Sequence, residues 1–298
     1  MTTQTRSHVR PNGSRSYSTT GKFSTYVFLF VCLGYFILPL FWLLISSTKT
    51  NAGLFNSFGF WFAKDFGLAQ NLKDLFTYQD AAFLGWMKNT AIYAISAAVG
   101  SSLISALAGY AFSQYRFAGR SLLFGIVLAS VFVPGTVFAI PLYLLISKTG
   151  LSGSLLAVIL PSLISPFGVY LMRIYSEQAI PEELLDAARI DGAGEFRIFA
   201  TIAFRLLLPG YVTVLLFAFV GAWNNYFLPL LVLGKSEVYP VTVGLAYWNS
   251  LAGQLSTHQI LYPLIITGSV VGTLPVMILF LFLQRFWQNG LALGSIKG

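Results

Sequence analysis

The chain has 298 residues, of which 56% are hydrophobic and only 9% charged, with a formal net charge of +8 and a mean hydropathy of +0.73. Soluble domains carry about 25% charged residues, so this composition excludes an ordinary soluble enzyme and indicates an integral membrane protein. The single cysteine, Cys32, cannot form an internal disulfide, and His8 and His258 are too far apart in the sequence to suggest a metal site.

The N-terminal residues 1–23 are rich in Ser, Thr, Arg and Gly, and this composition predicts a disordered tail. Six apolar segments follow, and each reaches or approaches the roughly 20 residues that an α-helix needs to cross a bilayer. They lie at 24–47, 89–112, 121–147, 154–172, 206–233 and 260–283. The sequence therefore predicts an all-α integral membrane protein with six transmembrane helices within residues 24–288, followed by a short tail at 289–298.

The distribution of Lys and Arg predicts the orientation. With the N-terminus inside the cell, the inner segments hold 12 of these residues and the outer segments hold 6, and every arginine is inside. We therefore expect both termini and the loop at 180–209 to be cytoplasmic. This bias also explains the net positive charge, so the charge does not indicate nucleic-acid binding. None of the six segments contains Asp, Glu, Lys, Arg or His, which argues against a proton-relay transporter and favours a pathway for a neutral solute.

The segments themselves carry few distinctive residues. The first outer segment, at 48–88, mixes aromatic residues with glycine, which favours short interfacial helices. The second span carries small residues at four-residue spacing, which predicts close helix packing: Ala97, Ser101, Ser105 and Gly109. The third and fourth spans contain prolines, which indicate either simple kinks or a pathway lining: Pro134, Pro141, Pro161 and Pro166.

The loop at 180–209 differs from every other connection because it holds half of the chain's ten acidic residues. Pro181 suits the first turn of a helix, and Gly192 can take the positive φ that a tight reversal needs. The pattern predicts two short helices around a glycine hinge, with one face of the second helix formed by Phe196, Phe199, Ala200 and Ala203. The alternative is a solvated connector between two membrane helices.

This loop resembles the "EAA" loop of binding-protein-dependent ABC importer permeases, most closely that of the maltose-type sugar permeases. Asp186-Ala187-Ala188 stands in the place of the E-A-A element, and Gly192 is its glycine. Phe204-Arg205 departs from the usual Leu-Pro. The resemblance implies the type I importer permease fold, with this loop as the coupling helix that docks on a cytoplasmic ATPase. Asp186 can pair with Arg189, three positions further along the same helix, or with a cation on the ATPase. The residues that it implies for ATPase coupling are Glu183, Asp186, Ala187, Ala188, Asp191, Gly192, Ala193, Phe196 and Phe199.

Two further stretches gain a role from the same resemblance. The end of the fifth span resembles a string found in the sugar permeases, and it gives a candidate substrate pathway: Trp223, Asn224, Asn225 and Tyr226. Hydrogen bonding between helices is the alternative role for its two amides. The outer loop at 234–259 resembles the loop that reaches into the external binding protein. Its candidate contacts are Tyr247, Trp248, Asn249 and Gln254, and a plain solvated loop is the alternative.

Taken together, the resemblance implies the permease subunit of an ATP-driven ABC importer. It would move a sugar or oligosaccharide across a bacterial or archaeal plasma membrane by alternating access, as a heterodimer with a second permease subunit. Two ATPase subunits, a solute-binding protein and membrane lipid would complete the assembly, with no nucleic acid.

The chain shows no nucleotide motif, catalytic residue set or metal cluster, so we expect no enzyme activity and no cofactor in it. ATP and Mg would be bound by the ATPase subunits. The alternatives are an ABC permease for glycerol phosphate or a polyamine, and a stand-alone secondary transporter. An anionic solute should favour positive groups, which the six segments lack.

Overall fold

The structure is a computed structural model and describes residues 19–254 and 261–294. Thirteen α-helices account for most of this part of the chain, joined by two 3₁₀ turns and one π turn. The helices are α1 (Thr19–Ser47), α2 (Asn51–Asn56), α3 (Leu68–Gln114), α4 (Arg120–Val131), α5 (Ala139–Lys148), α6 (Leu155–Ser162), α7 (Pro166–Ala179), α8 (Glu182–Ile190), α9 (Glu195–Ile198), α10 (Phe204–Trp223), α11 (Phe227–Val232), α12 (Val241–Gln254) and α13 (Leu261–Gly294).

Five helical segments are long and apolar enough to cross a membrane, and a sixth crossing results if one bent pair counts as a single span. The continuous segments are Phe23–Ser47, Leu68–Gln114, Leu155–Ala179, Glu195–Trp223 and Leu261–Gln284. The structure therefore confirms the all-α membrane architecture, with six crossings on that count.

The third predicted span, at 121–147, is not one straight helix. Its two halves, Arg120–Val131 and Gly135–Lys148, meet at an angle of 100°. Pro134 lies in the break, where it has no N–H to continue the helical hydrogen-bond ladder. The fourth span is interrupted at residues 163–165 but remains one continuous crossing. Pro166 begins α7, and the Ser165 hydroxyl caps this helix by accepting from the Gly168 N–H at 3.1 Å.

The second span begins earlier than predicted. Helix α3 starts at Leu68, and three non-glycine residues then adopt left-handed backbone conformations: Gln79 (φ 49°), Asp80 (φ 54°) and Ala81 (φ 60°). Each such residue costs roughly 1–2 kcal/mol. The turn is fastened from outside, because the Trp248 indole donates to the Gln79 side-chain oxygen at 3.0 Å. Apolar periodicity carries no information about such a turn, so the predicted segment at 89–112 missed the preceding part of α3.

The second short helix predicted for the loop at 180–209 is not separate from the fifth span. Helices α9 and α10 are joined by the π turn Phe199–Ala203, so the helical path runs without a break from Glu195 to Trp223. The span also ends ten residues before the predicted boundary at 233, since the chain leaves the helix at Asn224 and forms α11 separately.

The two predicted tails are shorter than expected. Helix α1 begins at Thr19, inside the predicted tail at 1–23, and α13 continues to Gly294, so residues 289–294 extend the last helix. Residues 1–18 and 295–298 lie outside the described residues.

The bundle is centred on α3, which packs against α7, α10, α12 and α13. The small-residue stripe of the second span does allow close approach, as predicted: a methyl group at Gly109 would lie 2.6 Å from the backbone nitrogen of Arg173. Helix α3 begins beside the end of α1, where the Asn71 amide binds the Ser47 carbonyl at 2.9 Å. It ends near α9, because Tyr115 directly after it binds Glu195. Helix α8 and the loop at 48–67 therefore lie at opposite ends of the bundle.

Candidate functional sites

Helix α8 is a short, sharply ended helix at one end of the bundle. Glu182 and Glu183 occupy its first turn and Arg189 its last, which suits the helix dipole. Gly192 follows with φ +80°, its N–H donates to the Arg189 carbonyl, and the Ala193 N–H donates to the Ala188 carbonyl, each at 3.0 Å. These two bonds form a Schellman cap, so the predicted reversal at Gly192 is confirmed.

One face of the α8–α9 pair is docked on the bundle. Leu185 and Ala188 are buried, and they join Ile198 and Phe199 in a core cluster with residues of α3, α7 and α10. The Tyr110 and Phe199 ring centroids are 5.2 Å apart. A helix pair held in this way cannot be a loose connector, because its inner face is part of the apolar core.

The opposite face of the pair is apolar and uncovered. Ile190 is 87% exposed and Phe196 is 80% exposed, while Leu184 is 41% exposed and Ala187 lies beside them. Large exposed apolar side chains clustered at the end of a bundle mark an interaction surface. We call the four residues Leu184, Ala187, Ile190 and Phe196 the apolar coupling face.

The predicted common face of the second helix is wrong in part. Phe199 and Ala203 are buried, as expected, but Phe196 and Ala200 are exposed. The buried positions are instead Ile198, Phe199, Ala203 and Leu207. A π turn occupies Phe199–Ala203, so the spacing of 3.6 residues per turn on which the prediction rested does not hold there.

Charged side chains tie the two helices to the end of α3. Arg189 binds Asp186 at 2.9 Å and Glu195 at 2.8 Å, and the Tyr115 hydroxyl donates to Glu195 at 2.7 Å. The hydrogen bonds to Glu195 and then Asp186 raise the pKa of Arg189, so it stays charged. Burial, followed by the hydrogen bond to Glu195, raises the pKa of Tyr115, so its hydroxyl stays a donor.

Sequence reasoning found the Asp186–Arg189 pair from its helical spacing, but it missed Tyr115, which is 80 positions before Glu195. Asp191 caps the end of α8, and Glu183 is exposed on its first turn.

A cleft of about 190 Å³ opens on the bundle between α3, the break before α7, and the end of α10. Its polar lining comes from Ser101, Ser162, Ser165 and Asn225, and the rest of the lining is apolar or glycine. No charged side chain of the described residues lines it. The Ser101 hydroxyl at its floor is buried without a hydrogen-bond partner, whereas the Asn225 side-chain oxygen accepts from the Leu228 N–H at 3.3 Å.

The four residues predicted for the pathway lie in different surroundings. Asn225 lines the cleft, but Asn224 is exposed and donates to the Val220 carbonyl of its own helix at 3.0 Å. Trp223 is buried and does not line the cleft; its indole donates to the Gly272 carbonyl at 2.9 Å, so this ring joins α10 to α13. Tyr226 is exposed at the start of α11.

The stretch at 234–259 contains a helix rather than a solvated loop. Within α12, Tyr247 and Asn249 are exposed, and Gln254 is its last residue. Trp248 is fully buried, with its ring centroid 4.6 Å from that of Trp86. Trp248 therefore does not reach the surface of α12, because its indole donates to Gln79 and joins α12 to α3.

Known proteins share both the sequence and the fold. Residues 101–292 match the family model "Binding-protein-dependent transport system inner membrane component". The chain belongs to this family. The matched range runs from the cleft through α8–α9 to the last helix, so the permease carries both candidate sites within the family region.

Three relatives resemble the permease over most of its length. It is 35% identical to the arabinooligosaccharides transport system permease protein AraQ of Halalkalibacterium halodurans, over 72% of this chain and 74% of that one. It is 34% identical to the maltodextrin transport system permease protein MdxG of Bacillus subtilis (93% and 96%). It is 30% identical to the lactose transport system permease protein LacG of Rhizobium radiobacter (88% and 91%).

A solved structure supports the fold. The permease superposes on a chain of a bacterial ABC transporter involved in the import of the acidic polysaccharide alginate, with a TM-score of 0.78. The match covers 93% of this chain and 99% of the other at 24% identity, so it shows the fold alone. The protein is thus a multi-pass plasma membrane permease with the type I importer fold.

Proposed function

We propose that the permease is a transmembrane subunit of an ATP-driven ABC importer that moves a sugar or oligosaccharide by alternating access. The observation that carries this proposal is the α8–α9 pair, docked by one face on the bundle and exposing the apolar coupling face at the other. Relatives named for arabinooligosaccharide, maltodextrin and lactose transport support the choice of sugars as the substrate class.

The apolar coupling face would dock on an ATPase subunit. Ile190 and Phe196 would enter a groove of that subunit, while Glu183 and the rest of α8 surround them. ATP and Mg would be bound and hydrolysed there and not in this chain. Closure of two ATPase subunits would then push α8, and the Arg189–Glu195–Tyr115 link would carry the displacement into α3. The spans would move as packed units, because packed cores shift between discrete arrangements.

The remaining partners follow from the incomplete cleft. The cleft opens on the surface of the bundle, so a second permease subunit would complete it as a heterodimer. The distribution of Lys and Arg supports an orientation with α8 and both termini in the cytoplasm. Helix α12 then lies outside, where exposed Tyr247 and Asn249 would meet a solute-binding protein.

The substrate would pass through the uncharged cleft. Ser162, Ser165 and Asn225 offer hydroxyl and amide groups of the kind that bind sugar hydroxyls, and apolar residues such as Ala97 and Ala222 line the rest. The main alternative is an importer of a charged solute such as glycerol phosphate or a polyamine. Charged groups in the pathway would favour that alternative, and among the described lining residues there are none.

Reconstitution tests the proposal. The complete transporter, with its partner permease, ATPase and binding protein, is placed in liposomes with ATP inside or outside, and uptake of labelled solutes is measured. We expect uptake of at least one saccharide that needs both ATP and the binding protein. Uptake of glycerol phosphate or a polyamine, with no uptake from a broad saccharide panel, would overturn the sugar assignment. Uptake without the ATPase would overturn the importer mechanism.

A further inference from the structure

The residues between α1 and α3 form a compact loop whose aromatic side chains point outward. We call residues 51–66, which include α2, the aromatic loop. Phe58 is 73% exposed and Trp61 is 65% exposed. The other exposed aromatic residues of the loop are Phe55, Phe60, Phe62 and Phe66. Neighbouring rings contact each other, with the Trp61 and Phe62 centroids 5.9 Å apart. A solvated surface would not present so many aromatic rings within sixteen residues.

The aromatic loop is held at its base by hydrogen bonds. The Asn71 amide donates to the Ser47 and Lys49 carbonyls, each at 2.9 Å, and the Gly67 N–H donates to the Thr48 carbonyl at 2.7 Å. An antiparallel bridge pairs Lys49 with Phe66. The rings are therefore displayed by an ordered framework, and their exposure does not come from a frayed chain.

The tip of the loop folds back along α1. A methyl group placed on Gly59 would lie 3.4 Å from the indole nitrogen of Trp42. Trp42 precedes the end of α1 at Ser47 by five residues, or about 7.5 Å at 1.5 Å per residue. The tip therefore lies level with the apolar part of a membrane-spanning helix, beside residues that are themselves exposed on the bundle surface.

A buried lysine supplies a hydrogen-bond donor for the backbone at the tip of the loop. Lys49 is only 1% exposed, and its ammonium donates to the Phe58 carbonyl at 2.7 Å. The Trp61 N–H donates to the same carbonyl at 3.3 Å. Irregular backbone beside a membrane span needs such internal partners, because hydrocarbon offers none. The lysine thus satisfies the backbone of the loop tip from within. The aromatic rings of the loop remain exposed, together with the polar side chains Asn56, Lys64 and Asp65.

We propose that the aromatic loop is a re-entrant membrane anchor whose occupant is the lipid of one leaflet, with Phe58, Trp61 and Phe62 inserted at the boundary between headgroups and acyl chains. Its surface continues the exposed apolar surface of α1, so the material that covers α1 there also covers the loop. Aromatic rings favour this boundary, and exposed Lys64 beyond the tip would reach the headgroup phosphates. In the orientation proposed above, this is the outer leaflet.

Spin labels test the anchor in the assembled transporter in liposomes. In a Cys32→Ser background, nitroxides are attached at Phe58→Cys, Trp61→Cys and Phe62→Cys, and collision rates with oxygen and with a water-soluble nickel chelate are measured. Val31→Cys in α1 is the reference inside the membrane, and Gln70→Cys on α3 is the exposed reference beyond the loop. We expect the oxygen-to-nickel ratio at the tip to exceed that at Gln70→Cys several-fold.

Two results would overturn the proposal. A nickel collision rate at Phe58→Cys equal to that at Gln70→Cys would place the tip in water. Low rates for both reagents at all three tip positions would place it against a partner protein. The measurement needs no transport, so it stands or fails separately from the sugar importer assignment.

Discussion

Two glycines in the α8–α9 connection show how a single φ angle defines a residue's role. Gly192 has φ +80° and Gly194 has φ −71°, and a methyl group on either would have no neighbour within 4 Å. The two positions are equally open, so they differ only in backbone conformation. A β-branched residue fits the extended conformation of Gly194 but is strained at Gly192 by about 1–2 kcal/mol.

Gly192→Val should therefore uncouple the transporter, whereas Gly194→Val should leave it active. A strain of about 1–2 kcal/mol lowers the population of the docked turn by roughly 5- to 30-fold. We expect solute uptake to fall by at least that lower factor, with binding-protein-stimulated ATP hydrolysis lost and membrane insertion unchanged. Uptake and hydrolysis are measured on the same liposomes. Equal activity of both variants would mean that the loop merely connects two spans.

The adjacent amides offer a second matched pair at this scale. Asn225→Leu removes a polar group from the cleft, and one hydrogen bond contributes about 0.5–1.5 kcal/mol. We expect its half-saturation concentration for solute uptake to rise by roughly 2- to 10-fold while assembly is retained. Asn224→Leu removes only an exposed bond to the Val220 carbonyl and should change uptake less than 2-fold, in keeping with small effects at surface sites. Loss of assembly in Asn225→Leu would instead indicate a structural amide.

At the scale of elements, α8 and α9 meet α3 through one carboxylate. Glu195 accepts from Arg189 of α8 and from Tyr115 at the end of α3. The apolar cluster around Phe199 packs beside this hydrogen-bonded link. A displacement of α8 can thus reach α3 by packing and by hydrogen bonds together, while Asp186 only stiffens α8 internally.

Tyr115→Phe should weaken coupling without unfolding the helix pair. It keeps the ring and removes one hydrogen bond to a carboxylate at a partly exposed site, at a cost of about 1 kcal/mol. We expect more ATP hydrolysed per solute molecule imported. Asp186→Ala breaks only a pair within one helix, which contributes about 0.2–0.5 kcal/mol, and it should have the smaller effect. The measured quantity is the ratio of ATP hydrolysis to uptake; the reverse order would assign the main role to Asp186.

The elements also show what the sequence could predict. Apolar runs located the spans and local spacing predicted the Gly192 reversal and the Asp186–Arg189 pair, because these depend on neighbours in the chain. The π turn at Phe199–Ala203 depends on packing between helices. Pro134 indicated a kink in the third span, but the sequence does not predict the 100° angle between its two halves. The Tyr115–Glu195 bond and the joining of Ser101, Ser165 and Asn225 in one cleft need the tertiary fold, since these residues are far apart in sequence.

The whole molecule has two unlike ends. One carries the apolar coupling face and the charged residues of α8, and the other carries the aromatic loop and α12. Such polarity suits a protein that meets a different partner on each side of a membrane. The excess of Lys and Arg on the α8 side predicts that this end faces the cytoplasm.

A pair of introduced cysteines tests this orientation. Ser236 lies near the start of α12 and Gly194 near α8, and both are exposed. In a Cys32→Ser background, a membrane-impermeant thiol reagent added to intact cells should label Ser236→Cys and not Gly194→Cys, with permeabilised cells as the control for accessibility. Labelling of Gly194→Cys from outside would invert the topology and remove the proposed site of ATPase docking.

The left-handed turn at Gln79–Ala81 is a strained backbone segment between the first turns of α3 and the span. The strain of three residues at roughly 1–2 kcal/mol each amounts to on the order of 3–6 kcal/mol, and the hydrogen bond between Trp248 and Gln79 holds the turn in this conformation. A partner that moves α12 away from α3 would break the hydrogen bond between Trp248 and Gln79. Release of the backbone strain would then favour a rearrangement of α3. Ala81→Gly should relieve part of this strain, because a φ of 60° is unstrained for glycine. The free energy of unfolding should therefore rise by about 1 kcal/mol. Ala82→Gly, in the following helical turn, is the control. A melting temperature that falls as much in Ala81→Gly as in Ala82→Gly would show that the backbone at Ala81 is not strained.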